Sequence, residues 1–355
     1  MLAICTCALT LAAIAAERAA DPSPFPAAKK AAIDATLARA MAQVKAPGAV
    51  VGIWIPGEGS YVAALGMSDP VAKKPMRIDD RFRIGAITRT FTVTSLLQLV
   101  DEKKVRLDDP VSKYVDDVPN GDKITLRMLA NMTSGLHSYS EDPAWIDEAM
   151  RNPQRAWTPR ELVDAAFRHP PDFPPGGSVH DSDTNSVLIG MVVQKVTRRP
   201  VRVVLRDRIQ RPLGLKQTTW PISGRMPKPF ARGITTQTPD GKPVDATNRN
   251  PSFAFSAGQL VSTLDDMRTW IRLFATGALV SPALRGERFG AVDNHGWLGA
   301  SGRMPGYSSS AYYLPQKDAT VVVLVNSDVP VDSAEPATIL LKAMLKEAMP
   351  ANTID

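Results

Sequence analysis

Apolar residues switch between helical and strand spacing along this chain. Residues 28–45 place Ala, Ile, Leu and Met at helical intervals, and Pro47-Gly48 ends the run. Ala49 to Ile55 is a β-run, Gly57 to Ser60 a turn, and Tyr61 to Leu65 a second strand, so this stretch predicts a hairpin. From Ile87 the period is helical again. Phe91, Thr94, Ser95, Leu97, Leu99 and Val100 mark a buried helix that ends near Glu102. Further helices are predicted from Ile124 and at 143–150, 159–168, 184–197 and 201–210, with no good strand run between 90 and 210. Gly258 to Ser262 then leads into a helix through Trp270 to Phe274. Tyr307 to Leu314 and Ala319 to Val325 are strands around a turn at Pro315 to Asp318, the second rich in β-branched residues. Glu335 to Leu345 closes the pattern as a helix, with Pro336 in its first turn.

Strands near both ends with helices between predict an α/β domain made from residues 21–85 and 250–350, and a mainly helical domain over 86–249. The groove between them is the natural ligand site. The 355 residues, 44% hydrophobic, are ample for a sizeable core. The formal charge of +6 comes without a dense Lys/Arg block interleaved with aromatics, so nucleic acid is not an expected partner. Arg198, Arg199, Arg202, Arg206 and Arg208 are spaced as a solvated helix face that at most touches an anionic envelope.

Residues 1–20 differ from the rest. Met1 to Ala16 is almost wholly apolar or small, with a small-residue processing site around Ala13 to Ala16, and it reads as a secretory signal peptide. No Lys or Arg directly follows Met1, which departs from the usual signal pattern, and a retained membrane anchor is the alternative. Both cysteines, Cys5 and Cys7, fall in this segment, so a processed chain needs neither disulfide nor thiol chemistry. The expected location is extracytoplasmic, periplasmic or secreted.

Phe82-Arg83-Ile84-Gly85-Ala86-Ile87-Thr88-Arg89-Thr90-Phe91 resembles the nucleophile motif of the serine β-lactamase and D-Ala-D-Ala carboxypeptidase superfamily. The likeness is strongest to its class C β-lactamase, carboxypeptidase and esterase branch. Leu107-Asp108-Asp109-Pro110-Val111, Thr133-Ser134-Gly135-Leu136, Gly258-Gln259-Leu260-Val261-Ser262-Thr263 and Pro305-Gly306-Tyr307 fit it too, collinearly from about Pro47 to Asn326. The resemblance implies a β-lactamase/transpeptidase-like fold: an antiparallel sheet flanked by helices with an inserted helical domain. It also implies a small-molecule or peptide-like ligand in the groove, no cofactor, association with the cell envelope, and a monomer.

The family pattern opens a helix with Ser-x-x-Lys, one turn apart on one face. The resemblance puts Ala86 at the serine and Arg89 at the lysine. Alanine has no nucleophilic atom, and arginine stays protonated at ordinary pH. The family's Tyr-x-Asn falls on Asp181-Ser182-Asp183. Its Lys-Thr-Gly or His-Thr-Gly falls on Ala300-Ser301-Gly302. Backbone oxyanion donors do not depend on side chains and would survive near Ala86. An Arg89–Asp181/Asp183 cluster would satisfy its own charges and is either structural or an anchor for a polar ligand. His180, Asp181, Asp183 and His295 lack a ligand-set spacing, so no metal is expected, and no serine–histidine spacing supports a new nucleophilic pair.

The reading is a non-catalytic relative that binds a peptide-like or cell-wall-related ligand through Ala86, Arg89, Asp181, Ser182, Asp183, Ser301 and Gly302. One alternative is an enzyme with residual or altered esterase, amidase or β-lactamase activity. The other is a purely structural or interaction protein with a closed groove.

Overall fold

The computed structural model describes residues 22–44, 46–287 and 292–354; the signal-like segment, with Cys5 and Cys7, lies outside them. Helix α1 (Ala27–Val44) buries Ile33, Leu37, Ala40 and Val44, which recur every three or four residues. Strand β1 (Gly48–Ile55) is buried at every position and pairs antiparallel with β2 (Gly59–Asp69). The expected hairpin therefore forms, and its second strand runs longer than the apolar run alone indicated. A tight turn at Gly85–Ile87 opens α2 (Thr88–Asp101). Then come α3 (Pro143–Arg151), α4 (Pro159–Phe167), α5 (Asp183–Thr197) and α6 (Val201–Leu205). Helix α4 opens with a capping box in which Thr158 and Glu161 satisfy each other's backbone N–H. The helix α7 (Leu264–Ala275), strands β3 (Trp297–Met304), β4 (Tyr307–Leu314) and β5 (Ala319–Val325), and helix α8 (Pro336–Ala348) complete the order.

The strands form one seven-stranded antiparallel sheet in the order Lys74–Pro75, β2, β1, β5, β4, β3, Val292–Asn294. The first long strand thus lies beside the last, with Ala49 opposite Val325 and Val51 opposite Val323. Alternation along β1 divides its side chains between two cores. Ala49, Val51, Ile53 and Ile55 pack with α1 and α8 through Leu37, Leu340 and Met344. Val50 and Trp54 face the opposite core, which continues through Phe82, Phe91 and Trp270 into the helical region. The architecture is the mixed α/β fold expected: an antiparallel sheet flanked by helices, with a helical region inserted.

Two helices differ from their sequence reading. The one expected from Ile124 is only five residues, Leu126–Ala130, capped by Thr125. The one expected over 201–210 is α-helical only to Leu205. Arg206–Gln210 then widens into a π-turn, closed by Arg211 N–H bonding the Arg206 carbonyl at 2.8 Å. Apolar spacing cannot distinguish these two helical forms over one turn.

Phe91 of α2 and Trp270 of α7 stack at 3.7 Å between ring centroids, and the Trp270 indole N–H donates to Thr90 Oγ1 at 2.8 Å. This contact joins the helix that opens the groove to the helix lying on the sheet. Trp270→Ala is expected to cost about 3–5 kcal/mol of stability, read from urea denaturation with the m-value held.

Candidate functional site

The site begins with two glycines. Gly85 has φ +52, and a Cβ there would lie 2.6 Å from the Arg303 amide nitrogen. A Cβ on Gly302 would lie 2.1 Å from the Ile84 carbonyl oxygen and 2.7 Å from the Ala86 amide nitrogen. Only hydrogen at both positions lets the turn before α2 touch strand β3 backbone to backbone. The Ser309 hydroxyl fastens the contact, donating to the Ile84 carbonyl at 2.9 Å with the Gly302 carbonyl at 3.2 Å. The result fixes Ala86 at the mouth of a cleft and keeps the Ala86 and Arg303 amides within the same contact.

The cleft is a cavity of about 750 Å³. Ala86, Arg89, Asp181, Asp183, Ser301 and Gly302 all line it. A closed groove is therefore not what this chain has. Ser182 is a correction: it is 1% exposed, does not line the cavity, and its hydroxyl has no hydrogen-bond partner among the described residues. Its neighbours on either side both reach Arg89, and Ser182 itself turns into the protein. Ala300 also stands off the cavity wall, packed in the core opposite Ala311. Ser301 is held from behind by Ser310 Oγ at 3.0 Å and the Tyr312 hydroxyl at 3.2 Å.

Arg89 sits one turn into α2 from Ala86, with its side chain 15% exposed. One guanidinium nitrogen pairs with Asp181 and the other with Asp183 Oδ1 at 2.6 Å. Burial alone would lower the pKa of Arg89, but the Asp183 and Asp181 charges outweigh it and hold it above its ordinary value. A group so held binds charge and does not take protons. Its Nε has no partner among the described residues.

Sequence reasoning missed the wall opposite. Tyr139, Trp145, Trp157 and Phe253 line the cleft together. Trp145 meets Tyr139 edge-on at 4.9 Å, Trp157 at 5.5 Å and Phe253 at 6.2 Å, and the Arg155 guanidinium lies 3.9 Å over the Trp157 ring. Asp142 caps α3 by accepting from the Trp145 backbone N–H at 2.7 Å, which fixes the start of the helix that carries that indole. The signal for α3 was legible, but an aromatic on a helix face reads equally as core, and Phe253 is remote in sequence. Tyr139 is not a base: burial, and then Asp183, push its hydroxyl pKa well up, with Arg89 opposing, while the hydroxyl donates to the Phe253 carbonyl at 2.8 Å. At the other end Arg303 pairs with Glu335 at 3.0 Å, and burial pushes the Glu335 carboxyl above its ordinary value against the pull of Arg303.

The histidine beside this cluster has a separate task. His180 Nδ1 lies 2.7 Å from Asp172, which also meets His137 Nδ1 at 3.0 Å, and His180 Nε2 lies 3.0 Å from Glu141. Burial would lower the His180 pKa, but hydrogen bonds to Glu141 and Asp172 raise it. Both ring nitrogens thus face carboxylates while Asp181 and Asp183 face Arg89. Among the described residues no group of three or more His, Cys, Asp or Glu is arranged to hold a metal ion.

A family model described as Beta-lactamase matches residues 33–344. The structure is similar to a D-stereospecific amidohydrolase from Streptomyces sp., with TM-score 0.79 and 31% identity, covering 91% of this chain and 99% of that one. It is similar to the D-amino acid amidase from Ochrobactrum anthropi SV3 complexed with L-phenylalanine amide, with TM-score 0.78 and 26% identity, over 92% and 100% of the two chains. In sequence it is 27% identical over 244 residues to the D-alanyl-D-alanine-carboxypeptidase/endopeptidase AmpH of Escherichia coli (strain K12). That match takes in 66% of this chain and spans 59% of the E. coli protein.

Asp183 is 25% exposed and Asp181 72%, so the two halves of the Arg89 clamp should differ in value. Asp183→Ala is expected to cost about 3 kcal/mol by leaving a buried cation half-paired, and Asp181→Ala less than about 1 kcal/mol. Chemical denaturation of both variants measures the difference. Because the folded pKa of His180 is raised, its pairing stabilises fully below the unfolded value of about 6.5 and is lost as pH rises through the folded value. Melting temperature should therefore fall across that window in the wild type and fall less in His180→Asn.

Proposed function

As a member of the beta-lactamase family, the chain, we propose, holds a peptide-like or amino-acid-derived amide or ester in its cleft and does not acylate residue 86. One observation carries this reading: a methyl group stands where the fold directs residue 86 into the cleft, while one turn away Arg89 is locked by two carboxylates. On this reading the family's serine, lysine, tyrosine and third-motif cation have become Ala86, Arg89, Asp181 and Ala300. Removal of the nucleophile leaves no atom to form the covalent intermediate. The similar structures named as a D-amino acid amidase and a D-stereospecific amidohydrolase support the ligand class. So does the Trp145–Trp157–Phe253 cluster, whose tilted rings offer an apolar wall to a side chain of the ligand. Ala86, Arg89, Asp181, Asp183, Ser301 and Gly302 form the polar side of the site. The ligand lies between the 86–249 region and the α/β region built from both chain ends, outside the cytoplasm. No helix among the described residues is long and apolar enough to cross a membrane.

A second reading is favoured by the Gly85–Gly302 contact and by the hydrolase names of the relatives. The Ala86 and Arg303 N–H groups in that contact would stabilise an oxyanion for attack by water, giving slow ester or amide hydrolysis without an acyl-enzyme.

Intact-protein mass spectrometry after incubation with penicillin and an activated ester separates the readings. No adduct is expected on the wild type, together with saturable binding of D-phenylalanine amide that weakens about tenfold in Trp157→Ala. A stoichiometric acyl adduct on the wild type overturns the proposal. Turnover above a heat-denatured control, with no adduct, selects water-mediated hydrolysis. Combining Ala86→Ser, Arg89→Lys, Asp181→Tyr and Ala300→His is expected to recover acylation, since the backbone frame is in place.

A further inference from the structure

A second cavity, sharing no lining residue with the cleft, lies where the π-turn widens the chain after α6. It measures about 490 Å³ and is lined by residues of α6, the π-turn and the stretch 211–220. Four of its lining side chains are cationic: Arg202, Arg206, Arg211 and Lys216. One carboxylate, Asp207, meets this group, bonding Arg206 Nε at 2.8 Å and Arg211 at 3.2 Å, and it is shared with Arg199 as well. Arg202 and Lys216 are exposed. The positive charge at the cavity therefore exceeds what one shared carboxylate balances.

The uncharged lining points the same way. Gln210 is 6% exposed, and its amide nitrogen has no hydrogen-bond partner among the described residues; the Thr219 hydroxyl has none either. A buried donor left unmade costs about 1–3 kcal/mol, so a small side-chain shift that brings either donor to an acceptor in the cavity is favoured beyond the acceptor's attraction to the surface charge. The π-turn produces this arrangement. It shifts Gln210 out of α-helical register, so that its carbonyl accepts from the Leu215 N–H at 2.8 Å and residues 211–216 fold back to bring Arg211 and Lys216 beside Arg202 and Arg206.

We propose that this cavity binds a phosphate-bearing ligand, independently of the cleft. Guanidinium forks match the paired oxygens of a phosphate, and Gln210 and Thr219 supply the neutral donors that a diffuse basic surface lacks. The arginine spacing that reads from sequence as a solvated helix face is thus divided. Arg202 and Arg206 turn to the cavity, Arg199 is held by Asp207, and Arg208 pairs with Glu102.

The test is titration of the full chain with pyrophosphate by calorimetry at low salt, in parallel with co-sedimentation on phosphatidylcholine vesicles with and without phosphatidic acid. Saturable one-to-one pyrophosphate binding is expected. It should weaken about tenfold in the exposed double variant Arg202→Ala/Lys216→Ala and severalfold in Gln210→Leu, which leaves the charge unchanged, while D-phenylalanine amide binding in the cleft is unaltered. Added binding to phosphatidic acid vesicles assigns the phosphate to a lipid headgroup; pyrophosphate binding alone assigns it to a soluble ligand. Absence of saturation with both probes, or affinity indifferent to the double variant or to a folded Gln210→Leu, overturns the proposal.

Discussion

The cleft depends on a backbone contact that two glycines allow and the Ser309 hydroxyl fastens. Where Gly85 meets Gly302 and Arg303, the start of α2 touches β3 with no Cβ between them. Everything at the mouth of the cleft is referred to that contact. It fixes residue 86, and through one helical turn it fixes Arg89 opposite Asp181 and Asp183. On the proposed reading it also lets the family frame coexist with side chains of a different chemistry. Backbone geometry held by glycines does not depend on the side chain at 86, which lines the cleft.

The Arg89 clamp changes what the groove can do electrostatically. A buried lysine beside a serine can exchange protons; a buried guanidinium flanked by two carboxylates cannot at any ordinary pH. Arg89 with Asp181 and Asp183 carries one formal negative charge in excess, yet the exposed half of the clamp, Asp181, is the part a ligand can displace. A cationic or hydrogen-bond-donating group, such as a ligand amine, suits that edge, while the aromatic wall suits an apolar side chain. The two surfaces line one cavity, and on the proposed reading they would together select an amphipathic molecule of modest size.

Most of the fold was legible in the sequence because its long elements carry clean periods. The all-buried β1 and β5 and the stripe of α1 could hardly have been read otherwise. Arg89, Asp181 and Asp183 could be paired in advance because a family motif fixes their places relative to one another. The failures share a physical cause. Ser182 and Asp181 look equivalent as letters, but successive side chains on the extended backbone before a helix point opposite ways. Trp145, Trp157 and Phe253 are far apart along the chain, and only packing shows that they form one wall. The π-turn at Arg206–Gln210 leaves the hydrophobic period nearly unchanged while redirecting the polar side chains.

The pairing of β1 with β5 has a bearing on how the molecule is made. During synthesis the amino-terminal hairpin emerges first, yet the edge of β1 that lies inside the finished sheet has no neighbour until Ala319–Val325 leaves the ribosome. Until then one side of a wholly apolar strand stays open to association with other chains. If residues 1–20 direct export, this delay becomes useful. A chain whose central strand pair closes last remains threadable, and folding is completed only after its carboxy-terminal strand has followed the rest across the membrane.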